Sequence, residues 1–293
     1  MSKTTKPPCG LLACGTLSYR QEPLERALEG IARAGFPGVE LGCVCAYCEH
    51  LKPEQMSKAE MQAAGKLVER FGLTIISIAG HIDLEFPLVG KGRSAAAEGY
   101  RRLRARIDLA AELGVPIVNT GVGVAGPGES LEELYRGLDE LLHYAADRNV
   151  KIGLESHAGV TETARASLDL CRKIESPHLG VNHDAGNVRF YTGIDPVADL
   201  AAVADELRPW LIHVHVKDHR GEKGQWDFPP LGEGHIDLPA LAALYRRIGF
   251  AGPFSLEIEF QGPDSTDPTA QIIDQGIAQS YRFMKQLNLV ESA

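Results

Sequence analysis

No stretch of the 293-residue chain approaches the roughly 20 consecutive apolar residues of a membrane helix, and none is repeated or of low complexity. Residues Met1 to Gly10 carry two lysines and two prolines but lack the apolar run of roughly 7 to 15 residues that a secretory signal needs. A cytoplasmic protein with no membrane partner is therefore expected. The six cysteines (Cys9, Cys14, Cys43, Cys45, Cys48 and Cys171) are too sparse for a disulfide framework and read as reduced thiols. Cys43, Cys45 and Cys48 cluster, but their segment does not supply the remaining ligands of a four-coordinate zinc site. Basic charge is also in deficit: 30 Lys and Arg against 39 Asp and Glu give a net charge of -9. Nucleic-acid binding needs a basic face, so a small neutral or weakly charged ligand fits better.

What the chain does contain is an unbroken alternation of short apolar runs and amphipathic segments, the pattern of a parallel sheet. Eight strands are expected: Leu11 to Leu17, Val39 to Leu41, Leu73 to Ala79, Ile117 to Thr120, Lys151 to Glu155, Leu179 to Asn182, Leu211 to Val216 and Phe254 to Ile258. The intervening helices keep a one-sided apolar stripe, as in Leu24, Leu28 and Ile31, in Leu131, Leu134, Leu138 and Leu141, and in Leu238, Leu241, Tyr245 and Ile248. Asp195 before Pro196, and Asp237 before Leu238, read as helix starts; Gly35, Gly72 and Gly249 read as left-handed stops. With hydrophobic residues at 44%, the chain suits a single α/β domain over residues 1–293, a (β/α)8 TIM barrel. Two loops exceed what a barrel requires, Gly80 to Ser94 and Lys217 to His235, and long loops at strand C-termini are the usual active-site walls.

Each of the last four strands ends in a residue able to bind a hard cation: Glu155, Asp184, His215 and Glu257. Any one of them could be an ordinary strand-end charge. Four together, converging on one barrel mouth, point to a divalent-metal site. Three carboxylates and an imidazole without thiolate suit Mn²⁺ first, with Mg²⁺ and Co²⁺ close behind and Zn²⁺ still compatible. His183 should point away from the mouth by strand alternation.

With these motifs the chain resembles the sugar phosphate isomerase and epimerase family, whose xylose isomerase-like barrels share the apurinic endonuclease fold. The resemblance runs from the Gly-Phe-Pro-Gly-Val-Glu stretch ending at Glu40 to the Gly-Pro-Phe-Ser-Leu-Glu stretch ending at Glu257. It implies that Glu155, Asp184, His215 and Glu257 bind the metal, that His213 packs behind it, and that Leu231 to Asp237 form the glycine turn before the seventh barrel helix. Asn187 stands where several members place a histidine. The resemblance also implies a homo-oligomer, dimer or tetramer.

Such a metal chelates an α-hydroxy ketone and acidifies the carbon between its oxygens by stabilising an enediolate. Glu155 and Glu257 are the expected acid/base pair of an isomerase or epimerase acting on a ketose, keto-inositol or related polyhydroxy ketone. Loss of a β-hydroxyl would instead make a lyase of the inosose dehydratase or 3-dehydroshikimate dehydratase type. An apurinic endonuclease and a non-catalytic carbohydrate-binding barrel are further alternatives. His81, His157, Asn187 and Lys217 are candidate substrate contacts; Lys217 and Asp218 read equally well as a solvated ion pair. Trp226 and Phe228 could cover a sugar face or simply anchor their loop. No arginine cluster or glycine nest marks a phosphate site near the mouth, which favours an unphosphorylated sugar or cyclitol.

Overall fold

Inside a closed parallel barrel every strand is covered twice, so alternate residues face either the interior or the surrounding helices. Leu211–Val216 shows the rule: Val214 and Val216 join the apolar core, whereas His213 and His215 contact interior polar groups. The structure, a computed structural model, describes residues 10–260 and 268–290; Cys9 and the amino-terminal leader reading lie outside them. Its strands are β1 (Leu12–Gly15), β2 (Gly38–Val44), β3 (Cys48–Glu49), β4 (Thr74–Ala79), β5 (Ile117–Thr120), β6 (Lys151–Glu155), β7 (Leu179–Asp184), β8 (Leu211–Val216) and β9 (Phe254–Leu256). Eight pair in parallel around a ring in which β9 returns to β1, giving the expected single (β/α)8 barrel. The ninth, β3, is a short antiparallel arm on β2.

Helix ends fall where their caps require. Asp195 and Asp237 accept the N–H groups of Val197 and Ala240, and Gly35, Gly72 and Gly249 adopt φ of 98°, 71° and 65°. Strand ends differ from the expectation. β1 stops at Gly15, where the chain tightens into a 3₁₀ turn and Thr16 Oγ1 takes the N–H of Gly42 (2.8 Å). β2 runs three residues past Leu41 because Cys48–Glu49 folds back onto it. β9 ends before Glu257, leaving that residue on the rim.

The three clustered cysteines are structural. The buried Arg106 guanidinium donates to the Cys43 carbonyl (2.9 Å) and to Cys45 Sγ (3.1 Å), and Glu54 balances its charge (3.1 Å). Burial pushes the Cys43 thiol up to about 12, so it stays protonated. All five described cysteines are free, and none belongs to a metal-ligating group among the described residues.

Polar side chains fill the barrel interior below the mouth. Ser77 Oγ meets His213 Nε2 (3.0 Å), His213 Nδ1 meets Asn182 Oδ1 (2.8 Å), and Asn119 Nδ2 donates to Glu40 (2.8 Å). Gly153 makes room for this layer, since a Cβ there would lie 2.2 Å from Asn119 Oδ1. Gly153→Ala should therefore displace Asn119 from Glu40 and cost about 1–3 kcal/mol. A lowered urea midpoint at unchanged slope would show it, and an unchanged midpoint would mean that the layer yields freely.

Candidate metal centre

Strand geometry carries four donors to one point. Glu155 and Asp184 end β6 and β7, His215 is the penultimate residue of β8, and Glu257 follows β9. One ligand atom from each lies within 4.8 Å of all the others. His215 Nδ1 sits 3.1 Å from Glu155 Oε2, 3.6 Å from Asp184 Oδ2 and 3.8 Å from Glu257 Oε1. Its other nitrogen, Nε2, is 2.8 Å from Glu40 Oε2. A proton on Nε2 held by Glu40 leaves the Nδ1 lone pair facing the three carboxylates, the arrangement by which a carboxylate orients a ligating imidazole.

Asp184 supplies the test of fit. Its Oδ1 accepts the N–H of Asn187 (2.9 Å) and caps the helix Ala185–Thr192, while its Oδ2 is buried without a hydrogen-bond partner. That oxygen has only longer charge contacts, to His215 Nδ1 (3.6 Å) and Lys217 Nζ (3.7 Å), and a buried carboxylate oxygen without a hydrogen bond is costly unless a cation comes closer. Three hard oxygen donors and one imidazole around that atom fit a divalent metal.

The protein's own charges obey the same constraint. Burial disfavours the His215 imidazolium, but Glu257, Glu155 and Glu40 together hold its pKa well above the usual range. Burial would raise Glu155 and Glu40, yet the neighbouring imidazoles hold both carboxyls below theirs: His215 and His81 for Glu155, His215 and His213 for Glu40. For Glu257 burial prevails, with Glu155 and Glu259 adding to it against His215 and Lys217, and the carboxyl is pushed up to about 7.

The candidate substrate contacts come together on a cavity of about 490 Å³ above this centre. His81 Nε2 lies 2.9 Å from Glu155 Oε2, and its Nδ1 accepts the N–H of Gly121 (3.1 Å). Glu155 and Asp83 pull that ring towards imidazolium against its burial. The Gly121 N–H decides for the neutral ring, because it needs the Nδ1 lone pair. Asp83 stands between His81 and His157 at 3.3 and 2.9 Å; the second contact is one of charge, since His157 Nδ1 has no aligned acceptor. Tyr191 meets His157 Nε2 at 3.0 Å. Asn187 Nδ2 donates to Glu155 Oε1 (2.8 Å), and Lys217 Nζ donates to Glu257 Oε2 (2.9 Å) and Asn187 Oδ1 (3.2 Å).

Asp218 is placed elsewhere. Its carboxylate accepts the N–H groups of His219, Gly232, Gly234 and Ile236, pinning the glycine turn, and neither it nor the buried Lys217 is solvated. His183 points outward to the hydroxyl of Tyr245 (2.7 Å), as alternation requires. Phe228 is an anchor, fully buried and bridged to Phe260, while the half-buried Trp226 packs on it and lines the cavity. Sequence reasoning gave no role to Glu40, Tyr47 or Glu259. The period-two spacing of Glu257 and Glu259 was the available signal for the last. A larger hollow of about 1510 Å³ lies beside Pro116, Lys151, Arg208 and Phe250, at the opposite ends of the strands, away from these groups.

Fold and site together define a (β/α)8 barrel with an acidic, imidazole-bearing centre at its C-terminal mouth. A family model described as a xylose isomerase-like TIM barrel matches residues 28–287, and the chain belongs to that family. It is 23% identical over 244 residues to L-ribulose-5-phosphate 3-epimerase UlaE of Shigella flexneri serotype 5b, covering 82% of each chain. It is 27% identical over 271 residues to a 3-dehydroshikimate dehydratase of Pseudomonas aeruginosa, covering 86% of this chain and 38% of that protein. The solved structure of the IOLI protein with a binding zinc atom superposes with a TM-score of 0.75 at 19% identity, covering 97% of this chain and all of the other. No helix among the described residues is long and apolar enough to cross a membrane.

Two outcomes follow for metal binding. Glu40→Gln keeps the shape but weakens the hold on His215, so affinity for Mn²⁺ should drop about 10–100-fold while the fold is retained, as read by calorimetric titration. An unaltered affinity would separate Glu40 from the centre. Glu257 must be ionised to ligate, and a pKa raised to about 7 favours its protonated form. Below that pH, each ion bound should displace a proton from Glu257, and affinity should fall with acid. Titrations in buffers of differing ionisation heat should show more proton release at about pH 6 than at about pH 8; equal release at both would contradict the assignment.

Proposed function

We propose that this protein is a divalent-metal-dependent isomerase or epimerase acting on a polyhydroxy ketone, with Glu155 and Glu257 as its acid/base pair. The observation that carries the reading is Asp184 Oδ2, buried without a hydrogen bond within a four-donor centre of which Glu155 and Glu257 line the cavity. Mn²⁺ suits the oxygen-rich set best, with Mg²⁺, Co²⁺ and Zn²⁺ as lesser candidates. A bound ion would supply Lewis-acid polarisation of a substrate's adjacent carbonyl and hydroxyl oxygens.

The remaining steps belong to the chain. Glu155 and Glu257 rise from strands three steps apart around the ring, β6 and β9, and so reach a substrate from different directions. One takes the proton from the carbon beside the carbonyl; the other returns a proton to the opposite face, inverting the centre. Glu155, held ionised against its burial by His215 and His81, is suited to take that proton. His81 and Asn187 fix the two oxygens of Glu155 (2.9 and 2.8 Å), and Lys217 fixes Glu257. Tyr47, Phe190 and Trp226 shield one side of the cavity from water and offer faces for the C–H groups of a sugar. A dehydratase is the second reading. The relative of that name favours it, as does His157, which lines the cavity beside Glu155 and could hand a proton to a departing hydroxyl.

The test is elemental analysis of the purified protein together with hydrogen–deuterium exchange into ketoses and inososes, for wild type and Glu257→Gln. About one divalent ion per chain is expected, with exchange reduced at least ~10²-fold in the variant. Bound metal without exchange into any ketone would remove the isomerase, epimerase and dehydratase readings together.

A further inference from the structure

Lys217 is the one lysine or arginine among the described residues lining the cavity, and it is spoken for. Its ammonium, only 2% exposed, is bonded to Glu257 Oε2 (2.9 Å), to Asn187 Oδ1 (3.2 Å) and to Glu259 Oε1, and lies 4.4 Å from the centre of the Phe228 ring. Glu259 is not one of the four converging donors. Its position is nonetheless fixed from all sides. Its Oε2 accepts the Tyr47 hydroxyl (2.6 Å), its N–H and that of Phe260 both donate to the Phe228 carbonyl, and Phe260 is held at φ +55°, in the left-handed region. A carboxylate held so firmly, with both oxygens engaged, contributes charge to the cavity more than a free acceptor.

We propose that Glu259 sets the charge preference of the cavity: by taking up Lys217, it makes the site select uncharged polyhydroxy ketones over their phosphate esters. This rests on the proposed proton-transfer function. Glu155, Glu257 and Glu259 line the cavity with Asp184 just beneath it, and Asp83 offsets His157, so four carboxylates face one ammonium and one divalent ion and the mouth keeps an excess negative charge. A phosphate, carrying a charge near −2, would meet an ammonium already shared by two carboxylates, with Glu259 itself facing it at short range. Neutral hydroxyls meet no such repulsion. They can donate to the carboxylates and accept the second Nδ2 hydrogen of Asn187, the first being given to Glu155.

The test compares, on Mn²⁺-loaded full-length protein, deuterium exchange at the α-carbon of D-fructose and L-ribulose with exchange into D-fructose 6-phosphate and L-ribulose 5-phosphate. Wild type should favour the free ketoses by at least about tenfold in kcat/KM. Glu259→Gln keeps the shape and removes the charge, so the ratio should move towards the esters by about tenfold or more, chiefly through a lower KM for the ester. Tyr47→Phe removes the hydroxyl that Glu259 also holds, and should leave the ratio where it was. Equal losses for both substrate classes in Glu259→Gln would make Glu259 a structural residue and overturn the proposal, as would a wild type that prefers the esters. The wild-type ratio needs no variant, so poor folding of Glu259→Gln does not shelter the idea. Exchange into neither class by the metal-loaded protein would instead defeat the proposed function, and this inference would fall with it.

Discussion

Burying negative charge in a medium that screens it poorly is costly, and this barrel gathers Glu40, Glu155, Asp184, Glu257 and Glu259 at and just below one mouth, none more than 5% exposed. The surrounding architecture follows from that constraint. His215 is drawn towards its charged form by three carboxylates, and Lys217 is held charged despite complete burial by Glu257 and Glu259. His81 and Asn182 each donate to Glu155. What none of these groups hydrogen-bonds is Asp184 Oδ2, left with longer charge contacts to His215 Nδ1 (3.6 Å) and Lys217 Nζ (3.7 Å), so the least satisfied atom of the mouth lies where the four donors converge.

The layer beneath the mouth passes that order down the barrel. Asn182 donates to Glu155 and accepts from His213, and His213 in turn meets Ser77. Burial, outweighing the pull of Glu40, drives the His213 ring down to about 4, so at neutral pH it is an uncharged spacer. His215, two residues further along the same strand face, differs because the carboxylates reach it from several strands. One strand thus carries two inward imidazoles whose charge is set by depth in the barrel, which explains how the motif His213-Val214-His215 can divide its labour.

Much of this was legible in the sequence because a barrel maps strand order onto space. Residues at successive strand ends must converge, so Glu155, Asp184, His215 and Glu257 could be read from position alone, and the caps at Asp195 and Asp237 from local chemistry. Groups whose partners lie far away in the chain were less legible. Glu40 meets His215 across 175 positions and Tyr47 meets Glu259 across 212, distances over which no periodicity carries information. Asp218 misled for a different reason. Its neighbours Lys217 and His215 face the mouth, but an extended chain turns successive side chains to opposite sides, and Asp218 was free to collect the N–H groups of the glycine turn.

Asn187 stands where the resemblance implies a histidine, and the geometry gives a physical reason for an amide there. The residue must donate to Glu155 Oε1 and accept from the Lys217 ammonium at once. A neutral imidazole can do both only from nitrogens on different sides of its ring, and protonation removes its acceptor altogether. A carboxamide offers donor and acceptor side by side and does not titrate, so it couples the two halves of the mouth at any pH. Its backbone is fixed as well, because its N–H caps onto Asp184 Oδ1. That single bond leaves Asp184 with only Oδ2 to turn inward. Asn187 therefore both links Lys217 to Glu155 and aims the orphaned oxygen on which the centre depends.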